Sequence, residues 1–180
     1  VLIDLQKGIA ARQTAPHAAS AVIAAAVKLA DRFRQLKAMV VLVHVEFAAD
    51  GKDVLKNPVD SPFSVRPGEM PPDWAQIVPE LGPRPGDLVI TKHQWGAFYG
   101  TELDLQLRRR GVNTIVIGGI ATNFGVESTA RDAWERNYAM VFAEDAMASV
   151  SAEAHHFAVG TIFPRLGRVR ATADILAALG

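Results

Sequence analysis

A chain of 180 residues, 49% of them apolar, is long enough for one domain with a substantial core, and its formal net charge of zero argues against nucleic acid or an anionic membrane surface as partner. The absence of cysteine excludes disulfides, thiol catalysis and cysteine-ligated metals together. No apolar run approaches the length that crosses a bilayer, so the cytoplasm is the expected location.

In chain order, the opening "VLIDLQ" reads as a core strand (1–3) and not as a signal peptide; lacking a methionine, it implies a short missing N-terminal piece. Val22, Ala26, Leu29, Phe33 and Leu36 then recur at three- and four-residue steps, one face of a long helix. The run "MVVLVHVEF" (39–47) is a second strand. From about Ala48 to Gly86 the chain is rich in proline and glycine, with "SPFSVRPGEMPPDW" at its centre. A segment of that length is expected to be a lid, an oligomer contact or a disordered insert, with one short amphipathic helix over 74–81. "DLVIT" (87–91), "TIVIGGI" (114–120) and "AMVFA" (139–143) are further strands, and "RVRA" (168–171) is a weaker sixth. Their near-continuous apolar character is that of strands buried on both faces. Between them, "ELDLQLRRR" (102–110) is helical with a basic last turn that suits the helix dipole, and a second helix starts near Asn123 with Ala130, Ala133, Trp134 and Tyr138 on its stripe. This alternation predicts a three-layer α/β domain over 1–180 with a parallel sheet.

Ligands of such sheets bind beyond the carboxyl ends of the strands. The polar residues there are Asp4 and Gln6 after the first strand, Lys92 and "HQWGAFYGT" after 87–91, and the helix start "ATNFG" after Ile120. A carboxylate, an ammonium and a helix start can converge on one crevice, where burial and opposite charge pull the carboxylate's proton affinity in opposite directions. Taken singly, each has a structural explanation. Asp4 serves equally as a turn residue and Lys92 as a surface ion-pair partner. Asn123 or Thr122 makes a good N-cap, and Trp95, Phe98 and Tyr99 are good packing residues. His44 reads as a hydrogen-bonded core histidine, and His155 and His156 as surface or packing residues. His44 and Glu46 do not suffice for a metal, and no metal or cofactor is expected.

"IDLQ" (3–6), "TKHQWGAFYGT" (91–101) and "GGIATNFGVESTARDAWERNY" (118–138) resemble the three signature blocks of the isochorismatase-like (cysteine hydrolase) superfamily, and "AEDAMAS" (143–149) resembles their continuation. The resemblance implies a Rossmann-like three-layer α-β-α fold with a mainly parallel sheet of about six strands, and a homo-oligomer, dimer or larger. Most members use an Asp–Lys–Cys triad. By motif position the aspartate is Asp4 and the lysine Lys92, while the cysteine position falls on Gly125. The resemblance further implies a cis peptide at Ile120–Ala121 and an oxyanion hole from the N–H groups of Ala121 and Gly125. The Asp-x-His metal pattern of nicotinamidases is not evident around "HVEF" (44–47).

True isochorismatases resemble this chain in carrying glycine at the cysteine position, where it makes room for substrate. By that likeness the chain is expected to be a hydrolase of a small, anionic molecule, with Asp4 as acid/base and Lys92 as its electrostatic partner. Gln6, Trp95, Phe98, Tyr99, Ile120, Ala121 and Asn123 are the expected substrate-binding residues. The alternative is an inactive relative that serves as a ligand-binding or oligomeric scaffold protein.

Overall fold

The continuous apolar runs become strands because both faces of the sheet are covered, so successive side chains pack in opposite directions into two separate cores. A computed structural model describes residues 1–62 and 67–180. Its six strands are β1 (Leu2–Ile3), β2 (Val41–Val45), β3 (Leu88–Lys92), β4 (Thr114–Ile120), β5 (Ala139–Ala148) and β6 (Gly167–Arg170). All pair in parallel in the order β3-β2-β1-β4-β5-β6, the α/β architecture read from the sequence.

On one face Ile3, Val41, Val43, Ile115 and Ile117 pack with residues of α3 (Leu103–Arg109) and α4 (Glu127–Glu135). On the other, Leu2, Val40 and Leu42 meet Val22, Ala26 and Ala30 of α2 (Ala19–Gln35). A third cluster joins Leu29 to Ala143, Ala146 and Ile175 of α7 (Thr172–Ala178). The other α-helices among the described residues are short: α1 (Lys7–Ala10), α5 (Ala152–Phe157) and α6 (Phe163–Leu166).

Several expectations are corrected. Leu36 lies just past the end of α2 and is exposed, as is Trp134 at the last turn of α4. The fifth strand runs to Ala148 rather than stopping at 143: between the Ile117–Phe142 and Gly119–Met147 pairs, one residue of β4 lies against four of β5. The additional residues carry Glu144 and Asp145 out of register, which hides the continuation from any apolar pattern.

No helix forms over 74–81. The backbone there pairs instead with the exit of β1: Lys7 N–H donates to Gln76 O, Gly8 N–H to Trp74 O and Val78 N–H to Leu5 O. Trp74, Val78 and Leu81 are buried beneath this bracing. Residues 63–66, at the centre of the proline-rich stretch, lie outside the described residues. No helix among the described residues is long and apolar enough to cross a membrane.

Candidate active site

The strand order reverses between β1 and β4, and the carboxyl ends of the strands near that switch bring the candidate residues together. Asp4 follows β1 directly, with φ 54°, a left-handed conformation that aspartate tolerates better than most residues. Its N–H still donates to Val43 O, so the strand pairing ends only as the chain turns. Lys92 is the last residue of β3, paired with Val45 of β2. Its long side chain reaches past the end of β2, and Nζ lies 2.8 Å from Asp4 Oδ2. The same ammonium donates to Gln94 O at 2.9 Å. Both residues are almost fully removed from solvent, at 5% exposure for Asp4 and 1% for Lys92.

Burial raises the Asp4 pKa to about 6 from an ordinary 3.8, against the opposing pull of the Lys92 charge and hydrogen bond. Desolvation therefore outweighs the neighbouring cation. While Lys92 holds Oδ2, Oδ1 is the only buried side-chain nitrogen or oxygen among the described residues without a hydrogen-bond partner.

The third strand end supplies the helix start. β4 runs through the cis peptide Ile120–Ala121 into one turn of π-helix (Thr122–Val126) that leads into α4. Neither Thr122 nor Asn123 caps it. The Thr122 hydroxyl pairs with His155 Nδ1 at 2.9 Å, and Asn123 Oδ1 accepts from Ser149 Oγ at 2.5 Å. Gly125 faces the carboxylate. A Cβ on it would stand 3.0 Å from Asp4 Oδ2, 3.0 Å from Ile3 Cγ2 and 3.6 Å from Trp95 O. The glycine thus does not leave an open hole beside Asp4, because the aspartate and Ile3 close onto it.

The loop after β3 is tied to this helix start by Thr129, whose hydroxyl donates to Gly125 O at 2.6 Å and accepts from Ala97 N–H at 3.1 Å. Gln94 braces the same loop by donating to Gly96 O and Tyr99 O.

The expected substrate-binding residues separate into two groups. Trp95 and Tyr99 are exposed, and the Trp95 ring lies 4.9 Å from that of Phe124, an aromatic not anticipated from the sequence. Phe98 is instead buried in the core beside Tyr138, and the Ile120 side chain packs with Leu2 and Leu5. Gln6 is fully buried: its amide donates to Val45 O and Trp74 O and accepts from Val45 N–H. It positions the exits of β1 and β2 and has no free face for a substrate. Gln6→Leu should cost about 2–3 kcal/mol in urea-induced unfolding, the penalty of orphaned buried backbone groups.

His44 is hydrogen-bonded as expected, donating from Nδ1 to Ala75 O and pairing through Nε2 with Thr91 Oγ1, but it is only half-buried. His155 is wholly buried in a polar network rather than a surface or packing residue, whereas His156 is exposed. A second polar group of side chains, His17, Glu144 and His155, was not foreseen. It becomes visible only once the displaced stretch of β5 is in place.

A doubly covered parallel sheet with a buried aspartate–lysine pair beside its topological switch point defines a doubly wound α/β protein. Comparison with known proteins makes this specific: a model of the isochorismatase domain matches residues 1–174. The chain is 50% identical to the isochorismatase family protein YwoC of Bacillus subtilis over 176 residues, covering 98% of this chain and 90% of that one. The structure of an isochorismatase family protein from Burkholderia thailandensis superposes with a TM-score of 0.94 at 48% identity, covering 99% of this chain and 93% of that one. N-carbamoylsarcosine amidase from Thermoplasma acidophilum is similar at 26% identity and a TM-score of 0.74, covering 95% and 94% of the two chains. This protein belongs to the isochorismatase family of hydrolases.

Proposed function

We propose that this protein hydrolyses a small, anionic molecule without a cysteine nucleophile, with Asp4 as the proton-transferring group and Lys92 as its electrostatic partner. The observation that carries the reading is the unpartnered Asp4 Oδ1, buried while Oδ2 is held by Lys92. An oxygen so placed can carry the proton and deliver it to a leaving group or a substrate double bond, with water completing the hydrolysis. The Lys92 charge steadies the carboxylate once the proton has left. Backbone N–H groups of Ala121 and Gly125 at the helix start are suited to developing negative charge on the substrate. Trp95, Tyr99 and Phe124 offer exposed aromatic faces beside it. The similarity to an amidase supports hydrolysis as the reaction class.

The test is a screen of the purified protein against isochorismate, chorismate and small N-carbamoyl amides, followed by the pH profile of the substrate that turns over. If protonated Asp4 is the acid, kcat/KM should be level at low pH and fall tenfold per pH unit above about 6. A profile rising through that range would assign Asp4 the role of base. No turnover and no binding of any of these compounds would favour a scaffold.

A further inference from the structure

We propose that His17, Glu144 and His155 form a binding site for a divalent transition-metal cation, zinc by the chemistry of its ligands. The three side chains come from separate parts of the chain. His17 lies in the loop before α2, Glu144 in the displaced stretch of β5, and His155 in α5. Both imidazole Nε2 atoms address the same carboxylate oxygen: His17 lies 2.9 Å and His155 3.2 Å from Glu144 Oε1. All three donor atoms fall within 4.8 Å of one another. With metal–ligand bonds of about 2.0–2.2 Å, neighbouring ligands of a tetrahedral zinc stand about 3.3 Å apart, so the triangle needs only small adjustments to close on an ion.

The two histidines are held in place independently of one another. The His17 loop is pinned to the end of β5 by reciprocal backbone hydrogen bonds between Ala15 and Ser149, and Thr14 Oγ1 donates to His17 O. α5 is capped by Ser151, whose side chain accepts from Ala154 N–H. The second ring nitrogen of His155 is engaged by Thr122 Oγ1, the kind of outer contact that fixes the orientation of a ligating imidazole.

Proton bookkeeping permits both states. Without a cation, each Nε2–H donates to Glu144 and the Thr122 hydroxyl donates to His155 Nδ1. With one, the His155 proton sits on Nδ1 and is donated to Thr122 Oγ1, which frees the Nε2 lone pair; the His17 proton moves likewise to Nδ1. A threonine hydroxyl serves as donor or acceptor, so the switch leaves His155 satisfied. Two imidazoles and one carboxylate select a borderline transition metal over calcium or magnesium and leave a fourth position for water or an anion. Glu144 and His17 each keep about a third of their side-chain surface exposed, which gives an ion a path inward. Asp4 and Lys92 play no part in this set, so the site stands or falls independently of the proposed hydrolysis.

The experiment is calorimetric titration of chelator-treated protein with zinc chloride, repeated on His17→Gln and Glu144→Gln. Both replaced side chains are only partly buried, and thermal melts without metal confirm that each variant is folded. One zinc per chain is expected, weakened at least about tenfold in each variant. Cobalt(II) should give the intense visible absorption of a four- or five-coordinate site in the unaltered protein only. Absence of stoichiometric binding, or binding unchanged in both variants, would overturn the site; the latter would place the ion on other histidines such as the exposed His93.

Discussion

Asp4→Asn is expected to lower kcat/KM of the proposed hydrolysis by about 10²–10⁴-fold, the usual contribution of a positioned general acid, while the protein still folds. The substitution preserves size and leaves an oxygen able to accept from Lys92, but the amide cannot release a proton. Steady-state kinetics on the best substrate, with circular dichroism and thermal unfolding of the same preparation, separates chemistry from collapse. Turnover within a few-fold of the unaltered protein would remove Asp4 from the mechanism. Because the group's folded pKa of about 6 is raised above 3.8, its effect on stability has a definite sign. The contribution is fully present below 3.8 and is lost as pH rises through about 6. Removing the carboxyl by Asp4→Asn should therefore flatten the pH dependence of stability between those values.

Lys92→Met should be the more damaging change to the fold, costing about 3–5 kcal/mol at neutral pH, as expected when one member of a buried ion pair is removed. The 2.8 Å contact with Asp4 is the carboxylate's only side-chain hydrogen bond, and Asp4 has almost no access to water that could replace it. Without Lys92 the carboxyl must take up a proton or lie charged and unpaired. The penalty should shrink in acid and grow as pH rises, measured by urea unfolding at pH 5 and pH 8. The double variant Asp4→Asn with Lys92→Met should recover most of the loss, since it leaves no buried charge. A single-variant cost below about 1 kcal/mol at pH 8 would mean that water reaches the pair.

The sheet was legible because its central strands are apolar on both faces, and no proline, asparagine or aspartate interrupts "TIVIGGI" or "MVVLVHVEF". The end of β5 was not, because Glu144 and Asp145 look like a loop when read without their partners. His17 and His155 meet Glu144, and Thr172 meets Asp145. The 74–81 segment carries helical spacing, yet its peptide groups find partners in Leu5–Gly8, a competition invisible to local pattern. Asp4 and Lys92 are 88 positions apart, and only their places at strand ends, together with the family motifs, suggested that they meet. The aromatics show the limit of composition. Phe98 and Phe124 are equivalent as letters, but Phe98 lies on the core side of its loop while Phe124 sits on an outward turn of the helix start. Gln6 is ambiguous for a related reason: an amide near a strand end suits a ligand as well as it suits the backbones that hold it here.

The fit around Gly125 bears on what a cysteine at that position would meet. With Asp4 and Ile3 each 3.0 Å from where a β-carbon would begin, a thiol cannot be added without moving a charge-paired carboxylate or a buried strand residue. Cysteine at 125 would require Asp4 and Ile3 to give by a few tenths of an ångström, so a thiol placed there would be pressed against the charge-paired carboxylate from the outset.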